Sequence, residues 1–156
     1  MHASKDPWIA REVAFLRAAH DAGVPVLGIC FGAQALAAAL GGAVARAPGR
    51  EIGWVHVDGP APFGGRWFSW HEDAFTAPAG ATVLAANRQG TQAFTLGHSV
   101  GVQFHPEVDE AIVADWLRTG RDAVPDPAPM RRETSSRIKD ARKRAFALFD
   151  AFAPPG

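Results

Sequence analysis

The sequence predicts an α/β fold, in which helices cover both faces of a sheet, and three consecutive segments indicate it. From Pro7 to Ala22, apolar residues recur at three- and four-residue spacing, which predicts a helix with one buried face. Pro25 to Ile29 is apolar on both alternating faces, which is typical of a strand that lies between two helix layers. Phe31 to Leu40 is rich in good helix formers, and the glycine pair that follows predicts its end.

The rest of the chain reads as short strands followed by two more helices. Segments that carry β-branched or aromatic residues and are separated by Gly, Pro and Asn predict strands at 54–57, 66–70, 82–86, 92–96 and 100–104. Helical spacing of apolar residues predicts helices over 109–117 and 131–152. A strand-rich half therefore follows the first helix-strand-helix unit.

The composition predicts one main domain with an appended helix. The chain has 156 residues, of which 47% are hydrophobic and 21% charged, as is typical of one globular domain. We predict a domain over residues 1–120, a Pro-rich connector over 121–130, and an amphipathic helix with a tail over 131–156. The basic residues of that helix are interpreted as a solvated face, because no base-stacking aromatics are interleaved with them.

Charge and cysteine content exclude several classes of partner. Sixteen basic and sixteen acidic residues cancel, so the net charge favours neither nucleic acid nor an anionic membrane. No apolar run approaches the length of a bilayer span, and the first residues lack the pattern of a signal peptide. The single cysteine allows no internal disulfide and no cysteine-based zinc cluster. We therefore expect a cytoplasmic protein with no metal site.

The single cysteine, Cys30, lies at the junction of the predicted strand and helix, in the sequence GICFG. Gly28 and Gly32 flank it at the spacing of a nucleophile elbow, a sharp strand-to-helix turn that needs small neighbours. A helix N-terminus also favours the thiolate, which is the nucleophilic form of cysteine. The alternative interpretation is a free cysteine that packs as a small hydrophobic residue.

A base for this nucleophile is predicted in the sequence VGVQFHPEV. His105 and Glu107 are two residues apart, so in an extended segment their side chains lie on the same side. A carboxylate beside an imidazole fixes its tautomer and stabilises its protonated form. His105 then serves as general base and later as general acid. The alternative is a His-Pro-Glu sequence that only turns the chain.

Together these motifs resemble the class I (triad) glutamine amidotransferases, in particular their stand-alone, GMP-synthase-like members. The resemblance runs from about Asp6 to Leu117. Its landmarks are PVLGICFGAQALAAALGG, REIGW at 50–54, WHEDAF at 70–75 and GVQFHPEV at 101–108. It implies a flavodoxin-like fold with a central, mainly parallel sheet and flanking helices.

The resemblance also assigns roles to individual residues. It implies that Cys30 is the nucleophile, His105 the base and Glu107 its orienting partner. The backbone N–H of Phe31 would stabilise the oxyanion. Gln34 and the segment at His71, Glu72 and Asp73 would line the pocket for the amino-acid end of glutamine. The alternatives are a helix-surface glutamine and a histidine satisfied locally beside tryptophans.

The sequence departs from this resemblance at two places. Similar sequences carry a glycine-rich loop, with a second oxyanion donor, after strands that precede the segment at Ser4–Trp8. We therefore expect those N-terminal strands to be missing from this sequence and Met1 to be an internal methionine of a longer protein. Similar sequences also usually have glycine at the position of Glu72, where a side chain would affect the fit of the substrate.

The reaction that the resemblance implies is release of ammonia from L-glutamine through a γ-glutamyl thioester, with no cofactor. A separate synthetase or acceptor subunit would then use the ammonia. Two other functions stay open at this point. One is a catalytically impaired binding or regulatory module of the same fold, and the other is a γ-glutamyl or peptide hydrolase that uses the same three residues.

Overall fold

The computed structural model describes residues 7–120 and 123–153. The first three elements are helix α1 (Pro7–Asp21), strand β1 (Val26–Ile29) and helix α2 (Phe31–Ala39). Helix α1 is amphipathic and buries Ile9 and Leu16, whereas α2 is apolar and buried along most of its length. The predicted helix-strand-helix unit is therefore confirmed.

Five strands and two helices follow. The strands are β2 (Val44–Val57), β3 (Gly65–Phe75), β4 (Thr82–Asn87), β5 (Gly90–Leu96) and β6 (Ser99–Val102). The helices are α3 (Glu110–Thr119) and α4 (Ala128–Phe152). Each predicted strand overlaps one of these, and β2 and β3 are much longer than predicted because they pair with each other along most of their length. The oxygen Oδ1 of Asp109 accepts from the amide of Ile112 at 2.8 Å and begins α3 as its N-cap.

The strands form two sheets. One has four strands in the order β1-β6-β5-β4, and the other is the β2-β3 ribbon. The parallel pairing that the sequence predicts is present between β1 and β6, whereas β6 with β5 and β5 with β4 are antiparallel. Two-residue connections cause this, because a chain that reverses between Asn87 and Gly90, or between Leu96 and Ser99, can pair only antiparallel. The sheet is therefore mixed and the fold α/β.

Three apolar clusters hold these layers together. The first packs α1 and α2 against Phe75 and Phe94, and the second packs Ala145 and Leu148 of α4 against Trp67 and Phe104. The third joins α3 and α4 to the β2-β3 ribbon. Among the described helices, none has both the length and the apolar character to cross a bilayer.

Helix α4 begins three residues earlier than predicted and includes the end of the predicted connector. Lys139, Arg142 and Lys143 on this helix are exposed, as expected of a solvated face. The prediction is wrong for Arg144, which packs over the Trp67 ring at 5.1 Å and donates to the carbonyl of Arg66. The division of the chain at 120 and 130 stays a prediction. Within the described residues, β1 forms the edge of the four-stranded sheet. The prediction for Met1 and most of the segment at Ser4–Trp8 fall outside those residues.

Candidate active site

Cys30 lies at the turn between β1 and α2 and has a strained backbone. Its φ is 51° and its ψ is −107°, and it is the one non-glycine residue of ranges 7–120 and 123–153 with a positive φ. Its N–H donates to the carbonyl of Val102 at 2.8 Å, which continues the β1-β6 pairing up to the turn. Strain of this kind amounts to about 1–3 kcal/mol and is found mainly at functional sites. The turn therefore has the elbow geometry that the sequence predicts.

The two glycines that flank Cys30 differ in their surroundings. A Cβ atom on Gly28 would lie 2.6 Å from the carbonyl oxygen of Gly32, so no side chain fits there. A Cβ atom on Gly32 would meet no described atom within 4 Å. The prediction that the turn needs a small residue on both sides is therefore wrong at Gly32, because the backbones approach each other at Gly28 only.

His105 lies between Cys30 and Glu107. Its Nδ1 is 2.6 Å from Oε1 of Glu107, and its ring lines the same cavity as Cys30. Burial by itself lowers the pKa of His105, but the hydrogen bonds and charges of Cys30 and Glu107 outweigh burial and raise it from 6.5 to about 9. At neutral pH the imidazole is therefore protonated, and the three predicted side chains form one connected group.

A cavity of about 360 Å³ opens beside this group and is lined by Cys30, Trp70, His105, Trp116, Thr119 and Gly120. The ring of Trp116 packs edge-on against His105, with centroids 4.7 Å apart, and contacts Trp70 in the same manner at 6.1 Å. A Cβ atom on Gly120 would lie 2.5 Å from the Trp70 ring, so this glycine lets the indole fit. The wall opposite the sulfur is therefore aromatic.

Gln34 is a buried residue of α2, only 5% exposed, so the alternative of a helix-surface glutamine is wrong. Its Nε2 donates to the carbonyl oxygen of Asp73 at 3.1 Å and to Oε1 of Gln103 at 3.3 Å. The Nε2 of Gln103 in turn lies 3.7 Å from Sγ of Cys30. Gln103 was not predicted, although it stands two residues before His105 and could be expected on the same side of the chain.

His71 is buried in β3 and joins two elements. Its Nδ1 lies 3.0 Å from the carbonyl oxygen of Asp73, the same oxygen that Gln34 contacts. Its Nε2 lies 3.0 Å from Oε2 of Glu51, a close contact that is not aligned as a hydrogen bond. Glu51 was not predicted as a site residue. Its burial is invisible in a sequence where it follows an arginine in REIGW.

Glu72 and Phe31 lie apart from this buried group. The carboxylate of Glu72 pairs with Arg46 and Arg50 of β2, and the hydrogen bond from Arg50 is the main reason that the pKa of Glu72 is lowered. Phe31 packs its ring against Trp8, with centroids 5.4 Å apart, and its backbone opens helix α2. Neither side chain lines the cavity beside Cys30, and neither do those of Gln34 and His71.

A cysteine on a strained strand-to-helix turn, beside a histidine that contacts a carboxylate, is the arrangement that α/β enzymes with a cysteine nucleophile use. Comparison with known proteins identifies the family. The model of the family "Glutamine amidotransferase class-I" matches residues 3–112, and the chain therefore belongs to that family. The resemblance that the motifs indicate is confirmed.

Sequence relatives of the chain are similar to it over part of their length. GMP synthase [glutamine-hydrolyzing] of Stenotrophomonas maltophilia is 36% identical over an alignment of 114 residues, and the match covers 62% of this chain and 22% of the relative. The protein of the same name from Thermomicrobium roseum is 44% identical over an alignment of 98 residues, and the match covers 56% of this chain and 19% of the relative. The chain thus spans about a fifth of the length of the curated relatives that it matches.

Solved structures match nearly the whole chain. A glutamine amidotransferase of Thermotoga maritima superposes with a TM-score of 0.90 at 28% identity, covering 99% of this chain and 73% of the other. A glutamine amido transferase of Methylobacillus Flagellatus superposes with a TM-score of 0.81 at 32% identity, covering 93% and 69%. The α/β fold of this chain is therefore that of class I glutamine amidotransferases.

Proposed function

We propose that this chain hydrolyses the side-chain amide of L-glutamine to glutamate and ammonia. The observation that carries the proposal is the strained backbone of Cys30, held beside the His105–Glu107 pair. Membership of the class I family adds support. A buried cysteine that only fills space has no need of a positive φ or of a neighbouring histidine.

The first half of the reaction forms a thioester. The thiolate of Cys30 attacks the δ-carbonyl carbon of glutamine, and the carbonyl π electrons move onto oxygen to give a tetrahedral oxyanion. His105 is protonated at neutral pH, since its pKa is about 9, and it donates that proton to the departing nitrogen. The C–N bond breaks, ammonia leaves, and a γ-glutamyl thioester of Cys30 remains.

The second half restores the protein. The imidazole of His105, now neutral, takes a proton from a water molecule whose oxygen attacks the thioester carbon. The C–S bond breaks, glutamate leaves, and the thiolate of Cys30 again faces a protonated His105. Glu107 stays ionised throughout and stabilises the protonated ring through its contact with Nδ1.

The backbone of α2 supplies one oxyanion donor in this scheme. The N–H of Phe31 belongs to the first turn of the helix, where amides have no partner within the helix. It follows the nucleophile directly, as in other enzymes with a nucleophile elbow. Gln34, with His71 and Glu72 on β3, would form the pocket for the amino-acid end of glutamine.

The ammonia would pass to a separate synthetase or acceptor subunit. Support comes from the relatives named GMP synthase [glutamine-hydrolyzing], of which this chain matches about a fifth. A reducing compartment such as the cytoplasm suits this chemistry, because oxidation of the single thiol would stop it.

A labelling experiment tests the proposal. The protein is treated with 6-diazo-5-oxo-L-norleucine, a glutamine-like electrophile, and digested for mass spectrometry while glutamate release from glutamine is followed in parallel. We expect labelling at Cys30 with matching loss of activity. Inactivation without modification of Cys30 would refute its role. Turnover of γ-glutamyl peptides in preference to glutamine would instead assign the chain to the γ-glutamyl hydrolases.

A further inference from the structure

Glu51 and His71 make a buried contact that the proposed reaction does not use. Their side chains are 5% and 3% exposed, respectively, and lie on the neighbouring strands β2 and β3. A buried carboxylate loses several kcal/mol of hydration, so a contact of this kind contributes little to net stability even when it is well made. The contact therefore calls for an explanation other than stability.

The contacts of His71 fix its position. Its Nδ1 lies 3.0 Å from the carbonyl oxygen of Asp73, which can only accept a hydrogen bond, so Nδ1 is the nitrogen that donates. Its Nε2 lies 3.0 Å from Oε2 of Glu51, whose oxygens also accept from Asn87 at 2.7 Å and Gln92 at 2.9 Å. Two amides thus hold the carboxylate that the His71 ring contacts.

Glu51 is held as a carboxylate. Burial alone raises the pKa of its carboxyl group, but the contact with His71 and the two amide donors outweigh burial and leave its pKa below the ordinary value. An ionised Glu51 is a fixed, buried acceptor beside the His71 ring.

One peptide carbonyl connects the His71 ring to the candidate site. The oxygen of Asp73 accepts from His71 and from Nε2 of Gln34, at 3.0 and 3.1 Å. The second hydrogen of Nε2 is directed to Gln103, whose own amide lies 3.7 Å from the Cys30 sulfur. With both hydrogens engaged, the Gln34 amide has one orientation, and its oxygen Oε1 is the atom that can accept from a ligand.

We propose that Glu51 is a positioning residue for the glutamine pocket: it holds His71 in place, His71 fixes the Asp73 carbonyl, and that carbonyl orients Gln34. This proposal rests on the proposed function, because it takes Gln34 as part of the pocket for the amino-acid end of the substrate. Its effect is on recognition of glutamine, while the reactivity of Cys30 itself depends on His105 and Glu107.

Two reagents separate recognition from reactivity in the variant Glu51→Gln. 6-Diazo-5-oxo-L-norleucine must occupy the glutamine pocket before it alkylates Cys30, whereas iodoacetamide needs only an accessible thiolate. We expect Glu51→Gln to slow labelling by the glutamine analogue about 10- to 100-fold, as misplacement of a binding group does. We expect labelling by iodoacetamide to stay at the wild-type rate. Equal slowing with both reagents would overturn the proposal.

Thr134→Val is the matched control for a general loss of stability. Thr134 is buried in α4 and accepts a hydrogen bond from Trp54 of β2, three residues along the strand from Glu51. Loss of this hydrogen bond should lower the free energy of unfolding by about 1–3 kcal/mol. The ratio of the two labelling rates should not change. If Thr134→Val changes that ratio as Glu51→Gln does, the effect is structural and the proposal fails.

A double variant tests whether Glu51 acts through His71. If it does, Glu51→Gln combined with His71→Gln should label no more slowly than the more impaired single variant, because both changes interrupt one path. Independent effects that multiply in the double variant would overturn this part of the proposal.

A measurement on the unaltered protein covers the case in which these variants do not fold. Nitrogen-15 NMR of the histidine rings should show a proton on Nδ1 of His71, the nitrogen that faces the Asp73 carbonyl. A His71 ring with an unprotonated Nδ1 would overturn the proposal without any assay of activity. A protein that shows the proton on Nδ1 but neither hydrolyses glutamine nor reacts with its analogue would instead refute the proposed function.

Discussion

The turn at Cys30 and the contact between Glu51 and His71 are built in different ways. The turn uses residues next to each other in the chain, from Gly28 to Gly32, and its backbone is strained at Cys30. The Glu51–His71 contact needs β2, β3, β4 and β5, because the other partners of Glu51, Asn87 and Gln92, come from the last two of these strands. The position of the nucleophile is thus encoded locally, whereas the His105–Glu107 pair and the surroundings of the substrate come from distant segments.

This difference has a consequence for mutagenesis. Changes at the turn should act on chemistry or on folding directly, while changes in the polar cluster should act on the fit of the substrate. Variants at the turn and at the His105–Glu107 pair follow, from the largest expected effect to the smallest, and Glu51→Gln tests the polar cluster.

Cys30→Ala should have the largest effect. Loss of the nucleophile removes the covalent step, and in triad enzymes this lowers kcat on the order of 10⁶-fold. Glutamate release by purified protein measures it, with thermal unfolding to show that the variant is folded. Activity retained in a folded Cys30→Ala protein would mean that the strained turn serves another purpose.

His105→Ala should come next, with a loss of about 10²- to 10⁴-fold, the usual range for a general acid and base. Glu107→Gln should retain more activity than His105→Ala, because Glu107 contacts the ring and does not exchange protons with the substrate. The same glutaminase assay ranks the two variants. An order of activities opposite to this one would show that Glu107 has a more direct role.

The pH dependence should follow the titration of His105. Its pKa in the folded protein is raised from 6.5 to about 9, so the protonated ring is lost as pH rises through about 9. We expect kcat/KM to fall about tenfold per pH unit above that value, because a neutral ring cannot protonate the leaving nitrogen. In Glu107→Gln the fall should begin at lower pH. If kcat/KM of Glu107→Gln fell at the same alkaline pH as that of the wild type, the assignment of this fall to His105 would be contradicted.

The same shift predicts the effect of pH on stability. Since the pKa of His105 is higher in the folded protein than in the unfolded chain, its contribution is complete below about pH 6.5 and is lost as pH rises through about 9. Urea unfolding of His105→Ala should therefore show a weaker decline of stability across this range than unfolding of the wild type. Parallel pH profiles for the two proteins would count against the raised pKa.

Gly28→Ala and Gly32→Ala should have the smallest effects, and they form a matched pair. A methyl group at position 28 would collide with the Gly32 carbonyl, and overpacking of this kind costs about 1–3 kcal/mol. At position 32, inside a helix with open space around it, alanine should be tolerated without loss of stability. Equal destabilisation by both changes would contradict the asymmetry at this turn.

The sequence predicts the elements and the local part of the site well, because both depend on neighbouring residues. The period of apolar residues defines α1 and β1, the spacing of Gly28 and Cys30 predicts the turn, and the two-residue spacing of His105 and Glu107 predicts that these side chains meet. That Cys30 and His105 meet is implied by the family resemblance and not by any spacing. The antiparallel half of the sheet is harder to predict from the sequence, since its strand direction depends on two-residue turns such as the one before Gly90.

Burial of polar residues is what the sequence does not show. Glu51 and Gln103 look like ordinary surface residues until β2, β3 and β5 come together around them. Glu72 differs from its neighbour His71 only in which face of β3 it occupies, and it pairs with arginines at the surface. The aromatic wall of Trp70 and Trp116 likewise joins residues far apart in the chain.

The third apolar cluster links the cavity to a helix that contributes nothing to its lining. Trp70 and Trp116 of the wall pack in one cluster with Met130, Ile138 and Ala141 of α4. Local opening of a protein proceeds in cooperative units that follow such contacts. The amides of α3 and α4 should therefore exchange their hydrogens with solvent together. The lifetime of the closed cavity wall is then set by how long α4 stays packed against it.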